Sequence, residues 1–262
     1  MSSGVMVGSL SIGRGHSGVL WRGRQDVNAP FDFSSNRYRV SLRIRQDEGQ
    51  KMTQKPILYG FDGSTYVRTV RMVLADKGIA YDQVPVNVLA GEPRQPEHLA
   101  RHPFGKVPVL DIDGLRIRET DAICRYLEDI APEPALTPAD PKDRARMNEA
   151  IGLIDSYGYG ALVGVAGYHL FPDFIGGQNE DARKAALEAS DKLLTLLMEN
   201  RSGPTWLAGD SPTLADYFLG PILFYVSLTP DADTVLSVPG VADWWAAMKA
   251  HDTFAKTEPD LG

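Results

Sequence analysis

Only one cysteine occurs in the 262 residues. No intramolecular disulfide can form, which fits a reducing compartment such as the cytoplasm. That residue, Cys124, falls inside an apolar helical stretch and reads as a packing thiol, with a redox-sensitive role as the alternative. Net positive charge is also lacking, with 34 acidic residues against 27 Lys and Arg. A formal net charge of −7 argues against nonspecific nucleic-acid binding, which needs basic surface. Long apolar runs are missing too: none approaches the ~18–20 residues of a membrane-spanning helix, so no membrane partner is expected. Internal repeats are not found, and low-complexity sequence is confined to the first 51 residues. The length leaves room for one large domain or two small ones, with ample core.

Residues 1–51 differ from the rest. They hold eight basic residues against four acidic ones, a local charge of +4 that leaves −11 on the remaining 211 residues. Gly and Ser are frequent and no apolar periodicity persists. Val5–Leu10 is too short for a secretory signal and lacks a basic leader. The segment reads as a disordered extension, translated from a start codon placed too early, or as an organelle transit segment rich in Arg and Ser.

The densest information lies in Pro103-Phe104-Gly105-Lys106-Val107-Pro108-Val109-Leu110, followed by Glu119-Thr120. Pro108 stands among apolar β-formers, and proline cannot donate to a sheet ladder, so it belongs at a strand's first position or edge. An X-Pro bond can be cis at modest cost, turning the preceding N–H and C=O outward to pair with an extended peptide. Glu119 and Thr120 precede Ala122, Ile123, Tyr126 and Leu127, an apolar face at helical spacing. An acid and a hydroxyl at a helix start cap it and aim polar atoms into a cleft. Upstream, Pro56–Gly60 reads as a strand and Asp62-Gly63-Ser64 as a turn. Thr65–Lys77 reads as a helix with Val67, Val70, Val73 and Leu74 on one face. Tyr81–Val88 is a second strand candidate. Asp113-Gly114 between Val109–Ile112 and Leu115–Arg118 signals a hairpin.

Strand, helix, strand, helix, hairpin, helix is a thioredoxin-like order. From about Thr53 onward the chain resembles a glutathione transferase. The resemblance rests on Gly63-Ser64-x-x-x-Arg68, Pro103 to Pro108, Glu119-Thr120-x-Ala122-Ile123, Trp206-Leu207-Ala208-Gly209 and Thr213-Leu214-Ala215-Asp216. The Ser64 arrangement is most similar to the serine-type classes phi, theta and delta. The implied fold is an α/β thioredoxin-like domain over residues 52–131, a Pro-rich linker over 132–140 and an all-α domain over 141–262. The implied co-substrate is glutathione, with no metal, and the implied assembly is a homodimer.

A free thiol is mostly protonated near pH 7, so a site using glutathione as nucleophile must stabilise the thiolate. A hydroxyl at a helix N-terminus can donate to the sulfur, with the helix dipole adding a favourable field. The resemblance therefore implies a catalytic Ser64; on local sequence alone Ser64 equally reads as a helix cap. Arg68 is either an ion-pair partner or a source of positive field. The resemblance further implies that the Val107 backbone, set by Pro108, pairs with the cysteinyl moiety. Glu119 would accept from the γ-glutamyl amine and Thr120 donate to its carboxylate. Lys106 and Arg94 would reach carboxylates, although Pro93 stands where a phi-class histidine is common; either is otherwise a solvated charge.

In the second domain Asp143 to about His169 reads as one long or bent helix, its second half loosened by Gly158, Gly160, Gly164 and Gly167. Asn179–Asn200 is amphipathic. Thr213 and Asp216 form a capping box, Pro221 should bend the following helix, and Val241–His251 is a last helix. The electrophile would bind against this domain, with Tyr157, Tyr159, Tyr168 and Phe171 as lining candidates beside Tyr66. Each of these aromatics is otherwise ordinary core. His169 is an acid–base candidate on residue type alone. The leading expectation is a transferase that conjugates glutathione to small hydrophobic electrophiles. The alternatives are a peroxidase, dehalogenase or isomerase on the same scaffold, or a non-catalytic ligand-binding or assembly module. A thiol–disulfide oxidoreductase would need a cysteine where Ser64 stands.

Overall fold

A computed structural model describes residues 54–260; the extension read at 1–51 lies outside them. The first domain is built on β1 (Ile57–Tyr59), α1 (Thr65–Asp76) and β2 (Asp82–Val84). A short 3-10 turn (Glu92–Arg94) and α2 (Pro96–Leu99) lead to β3 (Val109–Ile112), β4 (Leu115–Arg118) and α3 (Thr120–Ile130). The sheet order is β2-β1-β3-β4, with β1 and β2 parallel and the other two pairings antiparallel. This is a thioredoxin-like arrangement. The hairpin turns on Asp113 and Gly114, both at positive φ, as an Asp-Gly pair allows.

The second strand is shorter than Tyr81–Val88. Pro85 follows β2 directly and has no N–H for the ladder, and Asn87 then accepts from the Leu89 and Ala90 amides in a turn. Pro108 immediately precedes β3, and the Val107–Pro108 peptide is cis. Leu58, Val67, Val70, Leu74, Leu110 and Ile123 form the core between sheet and helices. Cys124 is fully buried among them, and burial pushes its thiol well above the ordinary range, so it packs rather than reacts.

The second domain is helical: α4 (Pro141–Leu153), a π turn (Ile154–Gly158), α5 (Tyr159–Leu170), α6 (Glu180–Asn200), α7 (Leu214–Ser227), α8 (Ala232–Leu236), α9 (Val241–Ala250) and α10 (Asp252–Lys256). The long-helix reading thus resolves into α4 and α5 joined through the π turn. Asp140 caps α4 by accepting from the Lys142 and Asp143 amides at 2.8 and 3.1 Å. The glycines of this stretch do more than loosen it. A Cβ on Gly158 would stand 2.5 Å from Leu193 Cδ2, so Gly158 lets α6 approach closely.

Asp216 is fully buried and accepts four hydrogen bonds: Leu207 N at 3.0 Å, Thr213 N at 2.8 Å, Thr213 Oγ1 at 2.9 Å and Trp244 Nε1 at 2.8 Å. Burial raises its pKa and these bonds oppose the rise. The capping box therefore also fastens the 206–209 loop and α9 onto α7. Pro221 lies inside α7 and cannot donate to the Tyr217 carbonyl four residues back. Thr69 Oγ1 of α1 donates to that carbonyl instead, at 2.9 Å. A helix irregularity in one domain thus becomes a tie to the other. Arg68 strengthens the same seam. Its guanidinium lies 4.6 and 3.9 Å from the ring centres of Phe224 and Phe254 and donates to Phe254 O at 2.8 Å. Burial pushes it down to about 10, so it stays charged near neutrality. Facing the helical domain, it binds the domains together.

Candidate active site

A cleft of about 1470 Å³ opens between the loops of the first domain and the α5 and α7 faces of the second. A single small-molecule site takes roughly 300–1,000 Å³, so the space admits a tripeptide and a second molecule.

The first wall is made of turns. Ser64 precedes α1, and its Oγ accepts from Val67 N at 3.4 Å. That contact uses a lone pair and leaves the hydroxyl proton for a ligand atom. The first-turn amides of α1 lack intrahelical acceptors, so the positive helix end faces the same place. Tyr225 Oη donates to Gly63 O at 2.7 Å, and α7 thereby pins the turn that carries Ser64. Gly105 has φ +60, and a Cβ there would meet Pro93 O at 2.8 Å. Only glycine fits, and the close approach sets the Arg94 loop beside Lys106 and Val107. His98, itself buried, donates from Nε2 to Lys106 O at 2.7 Å and supports that segment from below.

Glu119 sits at φ +69, ψ 125, an uncommon backbone conformation for a side-chain-bearing residue. Such strain clusters at ligand sites. Its side chain makes no capping bond to α3 and is 77% exposed, so the expected cap is absent and the carboxylate is free to face the cleft. Thr120 beside it is buried, and both line the cleft with Ser64, Arg94, Lys106, Val107 and Pro108. Every residue expected on the glutathione side therefore reaches one cavity. His102 joins them, with Nε2 3.7 Å from Glu119 Oε1; its pKa is lowered, chiefly by burial.

The second wall is a helical face. Asp155, Tyr159, Val163, Ala166, Gly167 and Leu170 recur every three or four residues along α5 and its π turn, and Phe171 follows. Tyr66 crosses from α1 to meet them. Its ring stacks on Tyr159 with centres 4.9 Å apart, and its hydroxyl donates to Asp155 Oδ1 at 2.9 Å. Burial, then the Asp155 charge, holds the Tyr66 hydroxyl far above its usual range. Partial burial, followed by the charges of Asp121 and Glu119, raises the Asp155 pKa, while the Tyr66 hydrogen bond opposes this.

Two residues expected to line the cleft lie off this face. Tyr157 falls two positions off the face and is 69% exposed outside the cleft. Tyr168 also points away, where its ring lies 5.4 Å from the Arg183 guanidinium. His169 likewise leaves the cleft: its Nε2 lies 2.8 Å from Asp231 Oδ2, within a cluster that includes Arg183.

Four contributors escaped the sequence reading: His98, His102, Tyr225 and Asp155. Asp155 left a usable signal, since it stands four residues before Tyr159. Tyr225 carried none, because its role depends on how α7 meets the turn at Gly63.

Residues 58–135 match the model for the glutathione S-transferase N-terminal domain, and residues 154–252 match that for the C-terminal domain. A maleylacetoacetate isomerase from Pseudomonas aeruginosa is 34% identical over 77% of this chain and 95% of its own length. Glutathione S-transferase F13 of Arabidopsis thaliana is 28% identical over 78% of this chain and 95% of its own. Among solved structures, glutathione S-transferase I from mais in complex with an atrazine glutathione conjugate superposes with TM-score 0.68. It is 27% identical, and the match covers 78% of this chain and 97% of that one.

Proposed function

This chain belongs to the glutathione S-transferase family, and from that premise we propose that it is a glutathione transferase acting on small hydrophobic electrophiles. The observation that carries the reading is Ser64: a hydroxyl with its proton free, at the positive end of α1, on the wall of a cleft that also holds Val107, Glu119 and Thr120. Serine holds its own proton far too tightly to act as a base. Its part is to donate to the sulfur, lower the thiol pKa and orient the thiolate. The Val107 backbone binds the cysteinyl moiety, and Glu119 and Thr120 hold the γ-glutamyl end. Arg94 and Lys106 attract the carboxylates of the tripeptide. The thiolate then attacks an electrophilic carbon held against Tyr66, Tyr159 and Phe171. A new S–C bond forms as the leaving group departs with its electron pair, and the thiol proton passes to water.

The assembly proposed is a homodimer. Phe104, 73% exposed on the loop before β3, is a large apolar group that the described residues leave uncovered. The compartment proposed is the cytoplasm; no helix among the described residues is long and apolar enough to cross a membrane.

A second reading, a glutathione-dependent isomerase, draws on the 34% identity to the Pseudomonas protein. Retention on immobilised glutathione with turnover of chlorodinitrobenzene supports the transferase. Retention with turnover of maleylacetoacetate alone supports the isomerase. Failure to bind glutathione removes both and leaves a non-catalytic module.

A further inference from the structure

The helical wall pairs a stacked aromatic surface with a carboxylate. Tyr66 and Tyr159 lie with ring planes 22° apart, and the Tyr66 hydroxyl donates to Asp155 Oδ1. No described residue hydrogen-bonds Asp155 Oδ2, and Asp155 is exposed and lines the cleft. Further acidic charge lies close by. Asp121 and Glu119 act on Asp155 through space, and Asp121 is already engaged by Arg125 at 2.8 Å. The lysine and arginine lining the cleft, Lys106 and Arg94, belong to loops of the first domain. The lining residues of α5 and α7 include no cation among those described.

We propose that this wall makes the electrophile site selective by charge: it accepts aromatic or apolar molecules carrying a cationic or N–H-donating group and rejects anionic ones, with Asp155 as the determinant and Tyr66 as its positioning residue. The inference rests on the transferase-family reading of the first wall. It deepens that reading by naming the substrate class. The geometry supplies both halves of such recognition. The stacked rings offer π-faces to a planar or cationic group, and Asp155 Oδ2 offers an acceptor beside them. With glutathione bound, Glu119 is matched by its amine and Asp121 by Arg125, so a carboxylate in the same place would meet the charge of Asp155, which no described cation on α5 or α7 offsets. Because maleylacetoacetate carries two carboxylates, the same charge pattern disfavours it as a ligand of this wall.

The binding of three glutathione conjugates to the full-length protein tests this without requiring turnover. Each carries an S-benzyl group, para-substituted with trimethylammonium, nitro or carboxylate, and affinities are measured by calorimetry. The ammonium conjugate should bind about tenfold or more tightly than the carboxylate conjugate, with the nitro conjugate between them. Asp155→Asn keeps an acceptor for Tyr66 and removes the charge, so the ratio should contract to about twofold. Raised salt should also shrink the parent's ratio. Equal affinities in the parent overturn the inference while leaving the glutathione site intact. An unchanged ratio in Asp155→Asn also overturns it, whatever happens to the melting temperature, and reduces the Tyr66–Asp155 bond to a tie between domains. Failure of all three conjugates and of glutathione itself to bind removes the glutathione site, and this inference with it.

Discussion

The two walls of the cleft are made in different ways. The wall proposed for glutathione is set by backbone. Ser64 ends a turn, Gly105 allows loops to touch, Pro108 starts a strand, and Glu119 holds an uncommon φ. Gly105 and Pro108 are residue types with narrow conformational roles, so the geometry they set is local. The wall proposed for the electrophile is set by the phase of a helix. Which side chains reach the cleft depends on rotation about α5, and the π turn at 154–158 shifts that phase. A wall of turns preserves its chemistry residue by residue. A wall of helix can change its ligand through any substitution along one stripe. That contrast fits a fixed co-substrate on one side and a variable partner on the other.

Substitutions can break or sharpen this contrast. The largest effect is expected from Ser64→Ala, which should lower conjugating turnover roughly 10- to 1000-fold, the scale of losing one donor to developing or resident charge. Glutathione affinity should change far less. Unchanged turnover would mean that another group activates the thiol. Glu119→Ala should weaken glutathione binding by roughly 10- to 150-fold, with a smaller effect on the chemical step. Comparing glutathione with an analogue lacking the γ-glutamyl amine checks the contact: the variant should discriminate less than the parent, and equal discrimination takes Glu119 out of the site.

Across the cleft, Tyr159→Ala should raise KM for an aromatic electrophile by about 3- to 10-fold, from loss of the stacked Tyr66 surface. Its effect on KM for glutathione should be slight, and an equal effect on both substrates would show that the walls are not independent. Tyr157→Ala should alter every kinetic constant by less than about twofold, since the residue stands off the face. A large rise in electrophile KM there would mean that the π turn places the face differently from the structure.

Most of the first domain was legible because its signals are local. Asp113-Gly114 gives the hairpin, Ser64 the start of α1, and Pro108 the start of β3. The short β2 was readable in principle from Pro85, which removes a ladder donor. The tertiary consequences were not readable. Nothing near Pro221 says that Thr69 will satisfy the carbonyl its ring leaves free. Nothing near Arg68 says that its guanidinium will enter a seam between Phe224 and Phe254. The aromatics of 157–171 were chosen by type, and type does not fix phase: Tyr159 and Phe171 reach the cleft, while Tyr157 and Tyr168 do not. Applying the spacing of three and four from Tyr159 would have kept Asp155 and dropped Tyr157.

The central claim is that Ser64 and the N-terminus of α1 stabilise a thiolate. Titrating the ultraviolet absorbance of the thiolate for glutathione bound to the parent protein and to Ser64→Ala tests it most directly. In the parent the bound thiol should ionise at least about one pH unit below the ~8.5 of a free thiol. In Ser64→Ala it should return toward that value. A bound thiol that titrates at its free value in the parent, or identically in both proteins, would contradict the account.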